Sequence, residues 1–288
     1  MKNSNENYRL FDPVLWLSNK NELFLFWSNS YEWYDGKAGV WFSKYVNNKW
    51  TDIEFIADGV MINKPIVNFK GEIVLPIALW SHVNPGAHPD LEKGKSVDST
   101  KLVYKIDNYP EIWIAKSLKK PKFYSKITTV PDSVRTHDEH MLIQLKDSSY
   151  YCLIRTKNGI EELRSNDGMD WSRPDSFSLV SPRSKFFISR LKSGRILLVI
   201  NNSKKRERLT AFLSEDECVT WSKSLLIDER MGVSYPDAVE GKNGNIILIY
   251  DRNRKSDQEI IIARFNESDI LNSNYKGITK EIITNFNN

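Results

Sequence analysis

With 288 residues, 40% of them hydrophobic and 12% aromatic, the chain carries enough apolar side chains to bury a large core without staples. Its 41 basic and 37 acidic residues leave a net charge of only +4, which gives no reason to expect a nucleic-acid partner, and no stretch reaches the roughly 20 apolar residues of a membrane span. The polar start MKNSNENYRL lacks the apolar run of a secretion signal, so the sequence predicts a soluble chain without an export address.

Taken in chain order, the apolar runs are LFLFW (23–27), EIVLPIALW (72–80), EIWIA (111–115), HMLIQL (140–145), YYCLIRT (150–156), FFISRL (186–191), RILLVIN (195–201), LTAFLS (209–214), NIILIYD (245–251) and EIIIARF (259–265). They are short, rich in Ile, Leu, Val, Tyr and Phe, and bounded by Gly, Asn, Asp, Ser or Lys, which predicts strands rather than helices. Cys152 and Cys218 each lie inside such a run, where cysteine behaves as a small hydrophobe, so no disulfide is expected.

The order of parts repeats. Each unit begins with a polar phrase (LFDP at 10–13, INKP at 62–65, HDEH at 137–140, KFFISR at 185–190, SYPD at 234–237), followed by a strand, a tight turn, two more strands and a closing turn. The spacing is about fifty residues, the period of a propeller blade, except where the second unit carries the insertion HVNPGAHPDLEKGKSVDSTKLVYKIDNYP (82–110). Units of this length that yield four short strands predict an all-β chain, a β-propeller with five readable blades forming one domain over residues 1–288.

Two closing turns share a phrase, SNDGMDW (165–171) and SEDECVTW (214–221), and SKYVNNKW (43–50) keeps its Ser and Trp. The phrase resembles the Asp box, S-x-D-x-G-x-x-W, of sialidases and other bacterial neuraminidase-repeat proteins. The first copy is one residue short, and the second has Cys218 in place of Gly. Further phrases, FDPVLW, DGVMINKP, DEHM, IRTKNGI, FFISRLKSGRILLV, DERMGVSYPD and IYDRNR, extend the likeness over most of the chain.

The resemblance implies an Asp-box β-propeller of the sialidase type and an exo-acting glycosidase; no His and carboxylate set shows ligand spacing, so no metal is expected, and no cofactor. Such an enzyme holds a sugar carboxylate with arginines and attacks the anomeric carbon with a tyrosine assisted by a glutamate. Sialidases are six-bladed, so five readable units imply either a missing first blade or an incomplete one, completed by the C-terminal phrase YKGITKEIITNF together with residues 1–10. The family's early Arg and Asp have their nearest counterparts here in Arg9 and Asp35.

Position by position, Tyr235 in VSYPDAV corresponds to the nucleophile. Glu139, sixteen residues before Arg155, corresponds to the carboxylate that takes its proton, because a neutral phenol is a poor nucleophile. Asp138 is a further catalytic candidate; strand alternation places Asp138 and His140 on one side and Glu139 on the other. Arg155, Arg190, Arg208 and Arg252 are candidate carboxylate forks, and Asn63, Lys64, His140 and Asp237 complete the candidate substrate contacts. A plainer reading keeps Tyr235 as a tunnel-lining aromatic bonded to Asp237 and the arginines as surface ion pairs. His82 and His88, in the insertion, are candidates for a lid.

The expected substrate is a glycan ending in sialic or uronic acid, with no nucleic acid and no membrane as partner. The alternative is a noncatalytic carbohydrate-binding propeller that has lost its acid. A third class, a protein-interaction propeller, would expose a hydrophobic mouth, and the charged loops disfavour it.

Overall fold

The computed structural model describes residues 9–30, 38–78, 110–131, 133–136 and 139–284. Most of the 82–110 insertion, with His82 and His88, lies outside them, as do Asp35 and Asp138.

Five sheets follow one another along the chain, each with strands joined in sequence order and antiparallel neighbours. The first contains β1 (Arg9–Leu17), β2 (Leu23–Ser30), β3 (Gly39–Val46) and β4 (Lys49–Trp50), with β5 (Glu54–Asp58) also pairing β3. The second contains β6 (Ile66–Val67), β7 (Ile73–Ala78), β8 (Pro110–Ala115) and β9 (Lys122–Lys126). The third contains β10 (Met141–Gln144), β11 (Tyr150–Thr156), β12 (Gly159–Ser165) and β13 (Asp175–Ser176). The fourth contains β14 (Phe187–Arg190), β15 (Ile196–Asn201), β16 (Leu209–Ser214) and β17 (Lys223–Asp228). The fifth contains β18 (Val233–Glu240), β19 (Asn245–Arg252), β20 (Glu259–Asn266) and β21 (Thr279–Thr284).

These are the blades of a β-propeller of the sialidase type, as the repeat predicts. The C-terminal phrase YKGITKEIITNF supplies β21, which pairs β20 inside the fifth sheet. A short helix α1 (Glu267–Leu271) bridges β20 and β21; Asn266 caps it by accepting from the Asp269 amide, and the Asp269 side chain reaches back to the cap's own N–H.

Contacts divide the chain into two compact units. One comprises Met1–Gln144, Ser148–Ile154 and Leu163–Pro174, the other Leu145–Asp147, Arg155–Glu162 and Asp175–Asn288. In the first, Trp16, Phe24, Phe26 and Phe42 pack with ring centroids 5.7–6.1 Å apart, and a second cluster gathers Ile112, Leu142, Tyr150, Cys152 and Trp171. In the second, every residue of β15 and β16 is buried, so ILLVIN and LTAFLS read as continuous apolar runs. Each buried Leu or Ile there contributes about 1.5–3 kcal/mol, which makes these central strands the unit's anchor. Cys152, in β11, and Cys218 are both buried and form no disulfide; Cys218 lies in the turn after β16 and not, as expected, in a strand.

The two Ser-to-Trp turns are built alike. Ser165 Oγ accepts from the Gly168 amide at 2.8 Å, and Asp167 Oδ1 accepts from the amides of Met169 and Asp170 at 2.7 and 2.9 Å. In the second, Ser214 Oγ accepts from the Cys218 amide at 2.9 Å and Asp216 takes both the Thr220 amide and its hydroxyl. Burial opposes ionisation of Asp216, but these donors outweigh it and hold its carboxyl down to about 2.

SKYVNNKW differs. Asn47 and Asn48 have φ of 51° and 61°, which makes a tight hairpin between β3 and β4. Trp50 consequently lies 44% exposed against Tyr45 instead of wedging between strands. Two left-handed asparagines are a stronger local instruction than a Ser and a Trp without the Asp.

Candidate active site

The fifth sheet begins with an irregularity. Val233 and Ser234 pair with Arg252 and Asp251, and the register then resumes at Asp237 opposite Ile249, so Tyr235 and Pro236 form a bulge. Tyr235 is held at φ 56°, a left-handed conformation that costs a bulky residue about 1–3 kcal/mol and persists only where its surroundings enforce it.

Those surroundings are specific. Ser234 Oγ donates to Asp251 Oδ1 at 2.7 Å, and Lys185 Nζ, buried, donates to the Pro236 carbonyl at 3.0 Å. Behind the bulge, Asn201 Nδ2 donates to the Val233 carbonyl at 2.9 Å. Gly232 has φ 84°, and a Cβ on it would meet Asn253 Oδ1 at 1.8 Å. Glycine is therefore needed where the loops after β15 and β19 converge on this strand. Its amide donates to the Arg206 carbonyl at 2.7 Å, and its carbonyl accepts from the Asn253 amide at 3.1 Å.

Three arginines surround the phenol. Arg155, at the end of β11 and 5% exposed, donates from Nη1 to the Tyr235 hydroxyl oxygen at 3.0 Å. The Arg254 guanidinium carbon lies 4.0 Å from the ring centroid and that of Arg206 lies 5.2 Å from it. Arg254 is itself positioned by Asp251, 2.5 Å from Nη2, and by Ser234 Oγ at 3.2 Å. Arg206 has its pKa lowered, first by burial and also by the nearby charges of Arg254 and Arg155, with Tyr235 and Asp251 opposing. The cluster is thus a concentration of fixed positive charge around one aromatic hydroxyl, suited to an anionic ligand.

The other candidates take varied positions. Arg190 ends β14 beside the 191–195 turn, the opposite end from Lys185, and does not reach Tyr235. It binds the Gly194 carbonyl and forks onto Glu217 at 2.8 and 2.6 Å. Arg252 turns to Asp257 and Glu259 at 2.7 and 3.0 Å. Arg208, at φ 52°, offers its carbonyl to Thr210 Oγ1 just before β16. Asp237 is half-buried in β18. Of the expected residues, Tyr235 and Arg155 come together here; Arg206 and Arg254, each two positions from an expected arginine, complete the cluster.

In the other unit, Glu139 and His140 precede β10 and are 4% and 1% exposed. Both lie outside the strand on which the expected alternation depends, and Asp138, the third residue of that expectation, lies outside the described residues. His140 Nε2 is 3.0 Å from the Glu111 carbonyl, and Asn63 Nδ2 donates to the His140 carbonyl at 3.0 Å, which makes this pair a buried tie between the second and third sheets. Lys64, beside Asn63, is half-buried, and Arg135, unremarked in the sequence, is 5% exposed shortly before Glu139.

Residues 2–248 match the BNR repeat-like domain. No curated protein matches the chain by sequence. Among solved structures, the chain is similar to a protein of unknown function from Dyadobacter fermentans, 12% identical, with a TM-score of 0.65 over 98% of this chain and 84% of that one. It is also similar to a Hadza microbial sialidase, 13% identical, with a TM-score of 0.63 over 85% of this chain and half (50%) of that one. A glycosyl hydrolase from Bacteroides ovatus gives 12% identity and a TM-score of 0.52 over 91% of this chain and 85% of that one. At such identities the likeness is one of fold.

Proposed function

Because the chain belongs to the BNR repeat-like domain family, we propose that it is an exo-acting glycoside hydrolase that removes a terminal acidic sugar, sialic or uronic acid, from glycans. The observation that carries this reading is the Tyr235 hydroxyl bonded to Arg155, with the guanidinium groups of Arg206 and Arg254 over its ring. Guanidinium forks bind carboxylates bidentately, so the cluster would hold the sugar by its acid group and set the anomeric carbon against the phenol.

In this scheme Tyr235 Oη attacks the anomeric carbon and its proton passes to Glu139. The bond to the leaving oxygen breaks as Asp138 protonates it; water then cleaves the tyrosyl–sugar bond, giving its proton to the Asp138 carboxylate and so restoring the acid, while Glu139 returns its proton to the phenol. Arg155 steadies the attacking oxygen. Asp251, held by Ser234, fixes Arg254 against the ring as a positioning residue. The turns at 165–171 and 214–221 are read as Asp boxes with a structural role.

The test is turnover of a panel of aryl sialosides and aryl glycuronides by the wild type and by Tyr235→Phe. Release of the aryl group by the wild type and its loss in the variant, both folded, are expected. A folded wild type that cleaves none of them retires the enzyme, and one that binds the corresponding free acid without cleaving any glycoside establishes the noncatalytic binding alternative instead.

A further inference from the structure

A cavity lies wholly within the first unit, at the turn ends of the second and third sheets. Its volume is about 860 Å³. Four lysines, Lys70, Lys116, Lys120 and Lys122, face it, three of them from the single stretch KSLKKPK that joins β8 to β9. None of the four ammonium groups has a carboxylate within ion-pair distance among the described residues. Their neighbour Lys119 does have one, Glu54 at 3.4 Å.

The two carboxylates that line the cavity are already committed. Glu72 accepts from Asn68 Nδ2 at 3.1 Å, and Asp167 ties down its own turn, whose amides depress its pKa. Both carboxylates keep their charge, but four lysines set against two carboxylates leave an excess of positive charge, and like charges gathered on one turn repel one another, so an anion from outside would stabilise the arrangement.

The remaining wall mixes polar groups, among them Asn68, Gln144 and Asn166, with an aromatic and apolar face. Phe123 is 47% exposed and Met169 50%, and both line the cavity with Tyr124 and Tyr150. The floor is fixed rather than loose: Tyr124 Oη donates to the Asp167 carbonyl at 3.0 Å, and Gln144 Oε1 accepts from the Phe69 amide at 2.7 Å. Aromatic faces beside cations suit a ligand with both C–H faces and acid groups, the chemistry of a sugar chain bearing carboxylates, because the rings take the C–H face while the ammonium groups take the acids. A wholly polar anion would leave the aromatic wall unused.

We infer that this cavity is a second binding site, separate from the Tyr235 cluster, and that it holds internal residues of an acidic polysaccharide. The choice of a glycan over other polyanions rests on the proposed function; the presence of an anion site does not.

The experiment measures binding of polysialic acid and polygalacturonate to the full chain carrying Tyr235→Phe, which prevents cleavage, with dextran and single-stranded DNA as controls. The cavity variants are Lys120→Gln with Lys122→Gln, and separately Phe123→Ala, each checked for an unchanged melting transition. Binding of at least one acidic polysaccharide, absent with dextran, weakened about tenfold by the lysine pair and by Phe123→Ala, is the expected result. In the wild-type background the same variants leave aryl glycoside turnover unchanged.

No binding of either acidic polymer, binding that ignores the cavity substitutions, or equally tight cavity-dependent binding of DNA overturns the inference. Lysine-dependent polysaccharide binding by a protein that cleaves no aryl glycoside would sink the proposed hydrolysis while leaving this site standing. Cleavage without lysine-dependent binding would do the reverse.

Discussion

The two ends of the fourth and fifth sheets treat arginine differently. At the hairpin end, Arg190 forks onto Glu217, and Arg195 meets Glu215 at 2.7 Å and Glu267 at 2.9 Å. At the loop end Arg252 and Arg230 are likewise paired with carboxylates, but around Tyr235 Arg155 donates to a phenol, Arg206 is half-buried near two other guanidinium groups, and one carboxylate, Asp251, anchors Arg254. The same residue type serves as cross-strand mortar in one place and as concentrated charge in the other. Arginine content alone therefore does not mark a site; the balance of acid and base around each guanidinium does.

The sharpest way to break this comparison is to truncate one arginine at each end. Arg155→Ala should lower kcat/KM for an aryl glycoside of an acidic sugar on the order of a hundredfold, with little change in melting temperature. Arg190→Ala should leave kcat/KM unchanged and lower the melting temperature by about 2–4 °C for each kcal/mol lost. Equal kinetic effects at the two ends would dissolve the distinction.

A smaller effect is expected from Asp251→Asn, which removes the charge that holds Arg254 over Tyr235 while keeping the bond from Ser234 possible. A fall of roughly tenfold in kcat/KM is expected, with a change in the pH profile of kcat that a merely structural substitution would not produce. Asp257→Asn, which loosens Arg252 instead, should leave that profile in place.

The blades were legible in the sequence because each repeats a strand pattern and a turn phrase, and both are enforced locally. Tyr235 was legible as the aromatic in SYPD, and Arg155 as the basic residue closing YYCLIRT. Arg206 and Arg254 were not, although KKRER and RNR name them. The obstacle is backbone rotation. Asn253, at φ 49°, stands between Arg252 and Arg254 and sends one to Asp257 and Glu259 and the other to Tyr235. Likewise Arg208 itself sits at φ 52°, so counting back from LTAFLS does not identify which of its neighbours faces the ring. A left-handed Asn between two arginines is a visible signal, but its consequence depends on what the loop packs against. Alternation is a weak guide at Glu139 and His140 for a related reason: the rule belongs to strands, and β10 begins only at Met141.

At the hairpin end the comparison is sharpened by acid. Glu217 is held down to about 2, first by its bonds from Arg190, against burial, with help from the Lys146 amide and side chain. A carboxylate whose folded pKa is depressed stabilises the fold above its unfolded value and loses that contribution as pH falls through the folded one. The wild type should therefore exceed Glu217→Gln in stability most above pH 4.5, with the difference closing as pH falls towards about 2. Denaturant unfolding of both proteins across that range checks it. A difference that widens on acidification would mean Glu217 is not the partner that Arg190 requires.

The smallest effect tests how strictly the same end needs its turn phrase. Cys218 stands where the motif has glycine, at φ 66°, with Glu217 beside it at φ 56°. Cys218→Gly would relieve about 1–2 kcal/mol of left-handed strain. It would also remove a thiol that is only 2% exposed, at a cost of about 1 kcal/mol in lost burial. The terms nearly cancel, so the melting temperature should move by no more than a few degrees in either direction. Cys218→Val carries the same backbone with a branched side chain that tolerates left-handed φ worse, so it should destabilise clearly. If Gly and Val behaved alike, the turn would be governed by the pocket under residue 218 rather than by its backbone, and the motif's glycine would owe its place to space, not to φ.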